Sequence, residues 1–147
     1  MIDTVCAAVV VDDERFEYVG AAADAHSAAR VREEFAEWLE RFFDLDPIRS
    51  GDLVLAINEA LANVAEFAYL SAERPKTMDL VARYDADQAR LTATISDRGV
   101  WRAPQNGPAG RTRGRGIPLI RALSDRASIE TSTGGTDVRM QWDAITR

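Results

Sequence analysis

The sequence has 147 residues, of which 46% are hydrophobic and 29% are charged, and this size and balance indicate one globular domain over residues 1–147. A net charge of -6 at pH 7 argues against direct, nonspecific binding to nucleic acid. The only cysteine, Cys6, has no partner for an internal disulfide, which favours the reducing environment of the cytoplasm.

The N-terminal apolar stretch, residues 5–11, is too short to span a membrane and lacks the basic start of a signal segment. The acidic residues Asp12, Asp13 and Glu14 follow it directly. We therefore predict no membrane passage. Residues 1–15 are treated as an N-terminal extension, whose apolar part forms either an extra strand or a dimer contact.

The next elements predicted are a short strand at residues 16–20 and a helix for which Asp24 is the N-cap. The apolar residues of this helix recur at the spacing of one buried helical stripe. They are Val31, Phe35, Trp38, Leu39 and Phe42. Residues 44–47 end the helix, because Pro47 disfavours a helical residue before it.

A second helix is predicted over about residues 52–70. Its buried side carries Leu53, Ile57, Leu61, Val64 and Ala68. At roughly 100° per residue, Glu59, Asn63 and Glu66 lie together on nearly the opposite side. The pattern thus predicts a polar face on this helix, away from the buried stripe.

The remaining strand segments share a period of two and are separated by turn residues. They are residues 77–84, 89–96, 127–133 and 136–142. The last two form a hairpin about the pair Gly134 and Gly135. Because these strands do not alternate regularly with helices, we predict an α+β two-layer sandwich with a mixed, mostly antiparallel sheet covered on one face by about three helices.

Between the two central strands and the final hairpin lies a long loop, residues 100–115, which contains prolines and glycines and shows no sustained period. Loops of this length in a compact domain are often functional lids. A helix follows at residues 117–123, with Pro118 in its first turn, where a missing N–H costs nothing. The predicted lid spans residues 100–116.

Two groups of residues in this region suit the recognition of an anionic, base-containing ligand. Asp97 ends a strand beside Gly99, and a carboxylate in that position can accept a hydrogen bond from an exocyclic amine. Gly114 and Gly116 precede a helix, where backbone N–H groups and the helix dipole favour a phosphate. A turn aspartate and a flexible glycine hinge are the plain structural alternatives.

Charge supports a local anion site. Residues 98–126 contain seven arginines and a single acid, Asp125, on an otherwise acidic chain. Such a basic segment suggests one anionic ligand site rather than an extended polyanion groove, and a solvated arginine-rich loop is the alternative.

Three sequence strings, in order, carry a family resemblance. They are NEALAN at residues 58–63, DRGVWR at residues 97–102 and RGRGIPLIRAL at residues 113–123. They resemble the N, G1 and G2 boxes of the anti-sigma regulatory factor and serine-protein kinase family, a branch of the ATPase superfamily shared by gyrase, histidine kinases and mismatch-repair ATPases. The string GGTDVRM at residues 134–140 resembles the final hairpin of that family. The resemblance implies the histidine-kinase-like ATPase fold.

The resemblance also implies roles for individual residues. Asn63 matches the asparagine that coordinates Mg²⁺, and Glu59 matches the proposed general base. Asp97 matches the aspartate that binds the adenine amine, and Thr136 matches a hydroxyl near the adenine pocket. The glycines that match those shaping the pocket and the hinge of the lid are Gly99, Gly114 and Gly116. Ile117, in the same string as the last two, is also expected to bind ATP. From their place in the acid-free loop, Arg113 and Arg115 are our candidates for phosphate contacts.

The function implied by the resemblance is that of a cytoplasmic regulator. It would bind a sigma factor, hold Mg-ATP and phosphorylate Ser or Thr of an anti-anti-sigma antagonist of the STAS type, with homodimerisation possible. Phe67 stands where many relatives carry histidine, and a phenyl ring cannot hydrogen-bond a phosphate. A non-catalytic ATP-sensing interaction module is therefore one alternative, and a detached histidine-kinase ATPase domain is another.

Overall fold

The computed structural model describes residues 7–68, 76–99 and 116–147. In this part of the chain the strands are β1 (Ala8–Val11), β2 (Arg15–Ala22), β3 (Thr77–Asp85), β4 (Arg90–Asp97), β5 (Arg126–Ser132) and β6 (Gly135–Trp142). The α-helices are α1 (Ala25–Phe42), α2 (Pro47–Asn63) and α3 (Gly116–Leu123). None of these helices has both the length and the apolar run needed to cross a bilayer.

The six strands form one sheet in the order β1-β2-β3-β4-β6-β5, with the helices on one face. Every pairing among the described strands is antiparallel. The predicted α+β two-layer fold is thus confirmed, and the sheet is antiparallel throughout the described residues. Alternation explains the layering, because every second residue of β3 and β4 is buried beneath the helices.

Helix α1 follows the predicted pattern closely. The Asp24 side chain accepts a hydrogen bond from the backbone N–H of Ser27 at 2.7 Å, which confirms the N-cap. The ring of Phe35 lies 5.8 Å from those of Phe16 and Trp38, centroid to centroid, so the stripe of α1 packs directly on β2. The helix ends at Phe42, before Pro47, as predicted.

Helix α2 begins earlier than predicted, at Pro47 rather than near Asp52. The Asp46 carboxylate accepts from the backbone N–H of Arg49 at 2.8 Å, and proline occupies the first turn, where its missing donor is harmless. Pro47 therefore both excludes a continuation of α1 and starts the next helix. At its other end α2 passes into a π-helical turn, Val64–Ala68, and residues 69–75 lie outside the described residues.

Residues 8–11 of the N-terminal apolar stretch form β1, which pairs antiparallel with β2 at one edge of the sheet. Of the two expectations for this stretch, the extra strand is what the structure shows for residues 8–11. A dimer contact through the same stretch stays a prediction.

The C-terminal segment, residues 143–147, packs against one end of the sheet. The predicted nucleotide pocket lies at the other end. Ile145 is fully buried, its N–H donates to the carbonyl of Ala89 at 2.9 Å, and its carbonyl accepts from the Tyr84 hydroxyl at 2.7 Å. The Arg90 guanidinium, which donates to Asp143 at 2.9 Å, holds the pKa of that carboxyl below its usual value. Ile145 therefore anchors the segment in the core, whereas Ala144, Thr146 and Arg147 are exposed.

We expect Ile145→Ala to lower the free energy of unfolding by about 2 to 5 kcal/mol, because it leaves a cavity at a fully buried position. Urea denaturation followed by circular dichroism measures this. The matched control is Ile48→Ala, since Ile48 is 79% exposed and its truncation should change stability by no more than about 0.5 kcal/mol. Equal effects of the two substitutions would contradict the packing described for the segment.

Candidate active site

Four side chains form a row across one end of the sheet, on the face that the helices cover. The strand register places Met78 opposite Asp97, Asp97 opposite Thr136, and Thr136 opposite Thr131. Met78, Asp97 and Thr136 are buried, whereas Thr131 is exposed. The row offers an apolar surface, a carboxylate and two hydroxyls, which is the chemistry needed to hold a polar heterocycle.

Asp97 is only 5% exposed, which is unusual for a carboxylate. Its Oδ1 atom accepts the backbone N–H of Gly99 at 2.9 Å, so the turn after β4 holds the side chain in place. A carboxylate has two oxygens and about four acceptor positions, so it can bond several donors at once. The predicted adenine-binding aspartate is thus buried, oriented by the turn, and able in its chemistry to accept from a ligand amine.

Two buried polar atoms near this end of the fold lack hydrogen-bond partners within the described residues: the Oγ1 atom of Thr136 and the Nδ2 atom of Asn63. Thr136 is 2% exposed and Asn63 is 6% exposed. A buried polar group without a partner costs about 1 to 3 kcal/mol, so native proteins hold few of them and often use them for ligands. Both residues are among the nucleotide-binding residues that the family resemblance implies.

The burial of Asn63 differs from the sequence expectation, which placed it with Glu59 and Glu66 on a polar face. At 100° per residue, Asn63 lies about 20° from Ala56 around the axis of α2, and Ala56 is fully buried. Helix α3 packs against α2 as well, which widens the covered side. Glu59 is half-buried and Glu66 exposed, so the three polar residues do not share one environment.

Glu59 and Asn63 are one helical turn apart on α2, and α2 is fixed against its neighbours on both sides. Arg32 of α1 donates from Nη1 to the Oδ1 atom of Asn58, next to Glu59, at 3.2 Å. The α-helix ends at Asn63, where the π-helical turn begins, and such turns occur often at functional sites. A rigid helix therefore carries the candidate base and the candidate metal ligand together.

The predicted lid falls mostly outside the described residues, and so do Arg113, Gly114 and Arg115. Gly116 is the first residue of α3, and Ile117, half-buried, packs at the margin of the core. Because α3 contacts α2, the start of α3 belongs to the same side of the sheet as Asn63. The arrangement agrees with a phosphate site at the N-terminus of α3, which remains a prediction.

The opposite face at the same end of the sheet has a different character. An open cavity of ≈ 500 Å³ there is lined by the acidic residues Asp79, Glu130 and Asp137, and Asp97, Arg98 and Thr131 also border it. The acidic residues outnumber the single arginine, which disfavours a polyphosphate in this cavity. The helix-covered face is thus the better candidate for a nucleotide. Across the described residues, no group of three or more His, Cys, Asp and Glu side chains is placed to hold a metal ion.

Sequence reasoning missed three features of the site: Met78, Thr131 and Gly135. The first two follow from the strand register, which the sequence alone does not fix. The sequence predicts Gly135 only as part of the hairpin turn. In the structure it is the first residue of β6, and the turn lies at Thr133 and Gly134. The pair of glycines was the available signal, although it does not reveal which of the two touches the neighbouring strand.

Comparison with known proteins identifies the family of the domain. Residues 21–142 match the family described as "Histidine kinase-like ATPase domain". A crystal structure of the RsbU and RsbW domains of Rv1364c from Mycobacterium tuberculosis resembles the chain with a TM-score of 0.69 and 24% sequence identity, over 90% of this chain and 33% of that one. This chain thus spans about a third of that protein's chain, and likeness at this identity shows the fold. Because the family match covers most of the sequence, the chain belongs to the family of histidine kinase-like ATPase domains, whose ligand is ATP.

Proposed function

We propose that the chain is an anti-sigma regulatory factor that binds Mg-ATP, sequesters a sigma factor, and phosphorylates Ser or Thr of a STAS-type antagonist. The observation that carries the proposal is the buried carboxylate of Asp97 beside the Thr136 hydroxyl, on the same side of the sheet as the side-chain NH₂ group of Asn63. The hydroxyl and the NH₂ group have no hydrogen-bond partner among the described residues. The resemblance of the N, G1 and G2 boxes supports the regulatory part.

In the proposed adenine pocket, Asp97 accepts a hydrogen bond from the exocyclic amine and Met78 packs against the base. The hydroxyl of Thr136, which has no partner among the described residues, bonds a ring nitrogen or a bound water. Burial removes the Thr136 hydroxyl from water, which is unfavourable unless a ligand replaces the hydrogen bonds that are lost. This explains why such costly residues are kept inside the fold.

In the proposed phosphate region, Gly116 and the N-terminus of α3, together with Gly114, Arg113 and Arg115, offset the phosphate charge. Asn63 fits a Mg²⁺ ligand, because Mg²⁺ in phosphate sites takes only one or two protein oxygens and completes its shell with phosphates and water. The metal would supply charge neutralisation of the phosphates. No three-residue metal cluster is required for that arrangement.

In the proposed transfer, Glu59 takes the proton of the antagonist's hydroxyl as the hydroxyl oxygen bonds to the γ-phosphorus. The bond from that phosphorus to the β,γ-bridging oxygen breaks, and ADP leaves. Glu59 is suited to this role because it is half-buried and lies one turn from Asn63 on a fixed helix. Positioning by α2 supplies most of the catalysis in such a site.

One observation favours a second candidate function, the ATP-sensing module without transfer. Phe67 lies in the π-helical turn directly after Asn63, where many relatives carry histidine. In that case ATP changes the affinity for the partner by stabilising one conformation, and no phosphate is transferred.

The test is to incubate the chain with γ-labelled ATP and the STAS-type protein that co-purifies with it from its host. We expect label on Ser or Thr of that protein, and ATP binding measured separately by calorimetry. Binding without transfer supports the sensing module instead. An absence of ATP binding contradicts both candidates.

A further inference from the structure

Gly135 brings the start of β6 unusually close to the backbone of β4. Its φ is +144°, a conformation that L side chains rarely adopt. A Cβ atom at this position would overlap the carbonyl oxygen of Asp97, and would lie 2.8 Å from the carbonyl carbon of Asp97 and 2.9 Å from the Cα of Arg98. Backbone atoms cannot turn away as a side chain can, so one of the two strands would have to move.

The segment that would move is the one that orients Asp97. Asp97 is opposite Thr136, the residue after Gly135, and its carboxylate is held by the N–H of Gly99 two residues further along. Displacing the peptide between Asp97 and Arg98 changes the direction of the Asp97 side chain and the distance to the Gly99 amide. Charge-assisted hydrogen bonds depend strongly on such geometry.

We infer that Gly135 is a positioning residue for base recognition. Because it has no side chain, the backbone at Asp97 can keep the position in which the Asp97 carboxylate accepts a hydrogen bond from the exocyclic amine of adenine. This inference rests on the proposed nucleotide site. The inference adds that the preference for adenine over a 6-oxopurine depends on one backbone contact outside the pocket, the contact of Gly135 with Asp97.

The adjacent glycine provides a matched control. A Cβ at Gly134 would meet the Ser132 side-chain oxygen at 3.7 Å, an ordinary contact, and Gly134 is not among the positive-φ glycines of the described residues. Gly134→Ala and Gly135→Ala are therefore the same chemical change on neighbouring residues of one hairpin, and only the second should disturb β4.

The experiment compares the affinities for ATP and inosine triphosphate, in which a carbonyl replaces the amine. Wild type and Gly134→Ala should prefer ATP by a factor of roughly 10 to 150, the usual contribution of a charge-assisted hydrogen bond. In Gly135→Ala this preference should fall to less than about threefold, with the inosine triphosphate affinity nearly unchanged. Equal weakening of both nucleotides would mean a merely structural role and would overturn the inference.

A second measurement needs no nucleotide. Hydrogen exchange at the Gly99 amide reports its bond to Asp97, and we expect faster exchange in Gly135→Ala but not in Gly134→Ala. An excluded osmolyte such as sucrose keeps the variant folded if its melting temperature is low. Unchanged exchange at Gly99 in Gly135→Ala would overturn only the inference about Gly135. A wild-type chain that binds neither nucleotide would overturn the proposed site.

Discussion

Replacing Glu59 with alanine should reduce phosphate transfer to the antagonist by a factor of about 10² to 10⁴ while leaving ATP affinity nearly unchanged. Glu59 is half-buried on α2 and lies outside the hydrophobic core, so its truncation removes proton acceptance without creating a large cavity. The rate should therefore fall through kcat rather than through nucleotide binding.

The measurement is incorporation of γ-labelled phosphate, alongside an ATP titration and a thermal melt of the same variant. Glu66 provides the control, since it is the other glutamate of α2 and its π-helical turn and is exposed. Glu66→Ala should transfer phosphate at the wild-type rate. If Glu59→Ala also does so, Glu59 is not the base, and the proton goes elsewhere.

Replacing Asp97 with asparagine should weaken ATP binding by roughly 10- to 150-fold, because losing a charge-assisted hydrogen bond costs about 1.5 to 3 kcal/mol. The amide keeps the size of the carboxylate and one acceptor oxygen, so the loss reflects charge more than packing. Calorimetric titration with ATP measures the change directly.

Asp137 is the matched control for this substitution. It follows Thr136 on β6 at the same end of the sheet, but its side chain is exposed on the opposite face. Asp137→Asn removes the same charge and should leave the ATP affinity unchanged. Equal losses at Asp97 and Asp137 would indicate a general electrostatic effect rather than a base contact.

Much of the fold could be predicted because it follows from local periodicity. The stripe of α1 and the Asp24 cap need only neighbouring residues, and the alternation in β3 shows directly which side is buried. The predicted start of α2 is wrong although the sequence contains the signal for the true one. Pro47 predicts the end of one helix, but proline also suits the first turn of the next.

The candidate site was less accessible to sequence reasoning because it depends on contacts between distant segments. Asn63 is buried on α2, and α2 packs against α3, which lies more than fifty residues further along the chain. The contact of Gly135 with the backbone of Asp97 depends on the register between β4 and β6. Residue types could be chosen from the boxes, but their environments required the tertiary structure.

The most direct test of the ATP site is an NMR titration of the chain with Mg-ATP. We expect saturable shifts at the side-chain amide of Asn63 and at the backbone amides of Gly99 and Thr136, because these groups lie in or beside the proposed base-binding row and the proposed phosphate region. Shifts confined to the opposite face, around Asp79 and Asp137, or no shifts at millimolar ATP, would contradict the assignment of the nucleotide site.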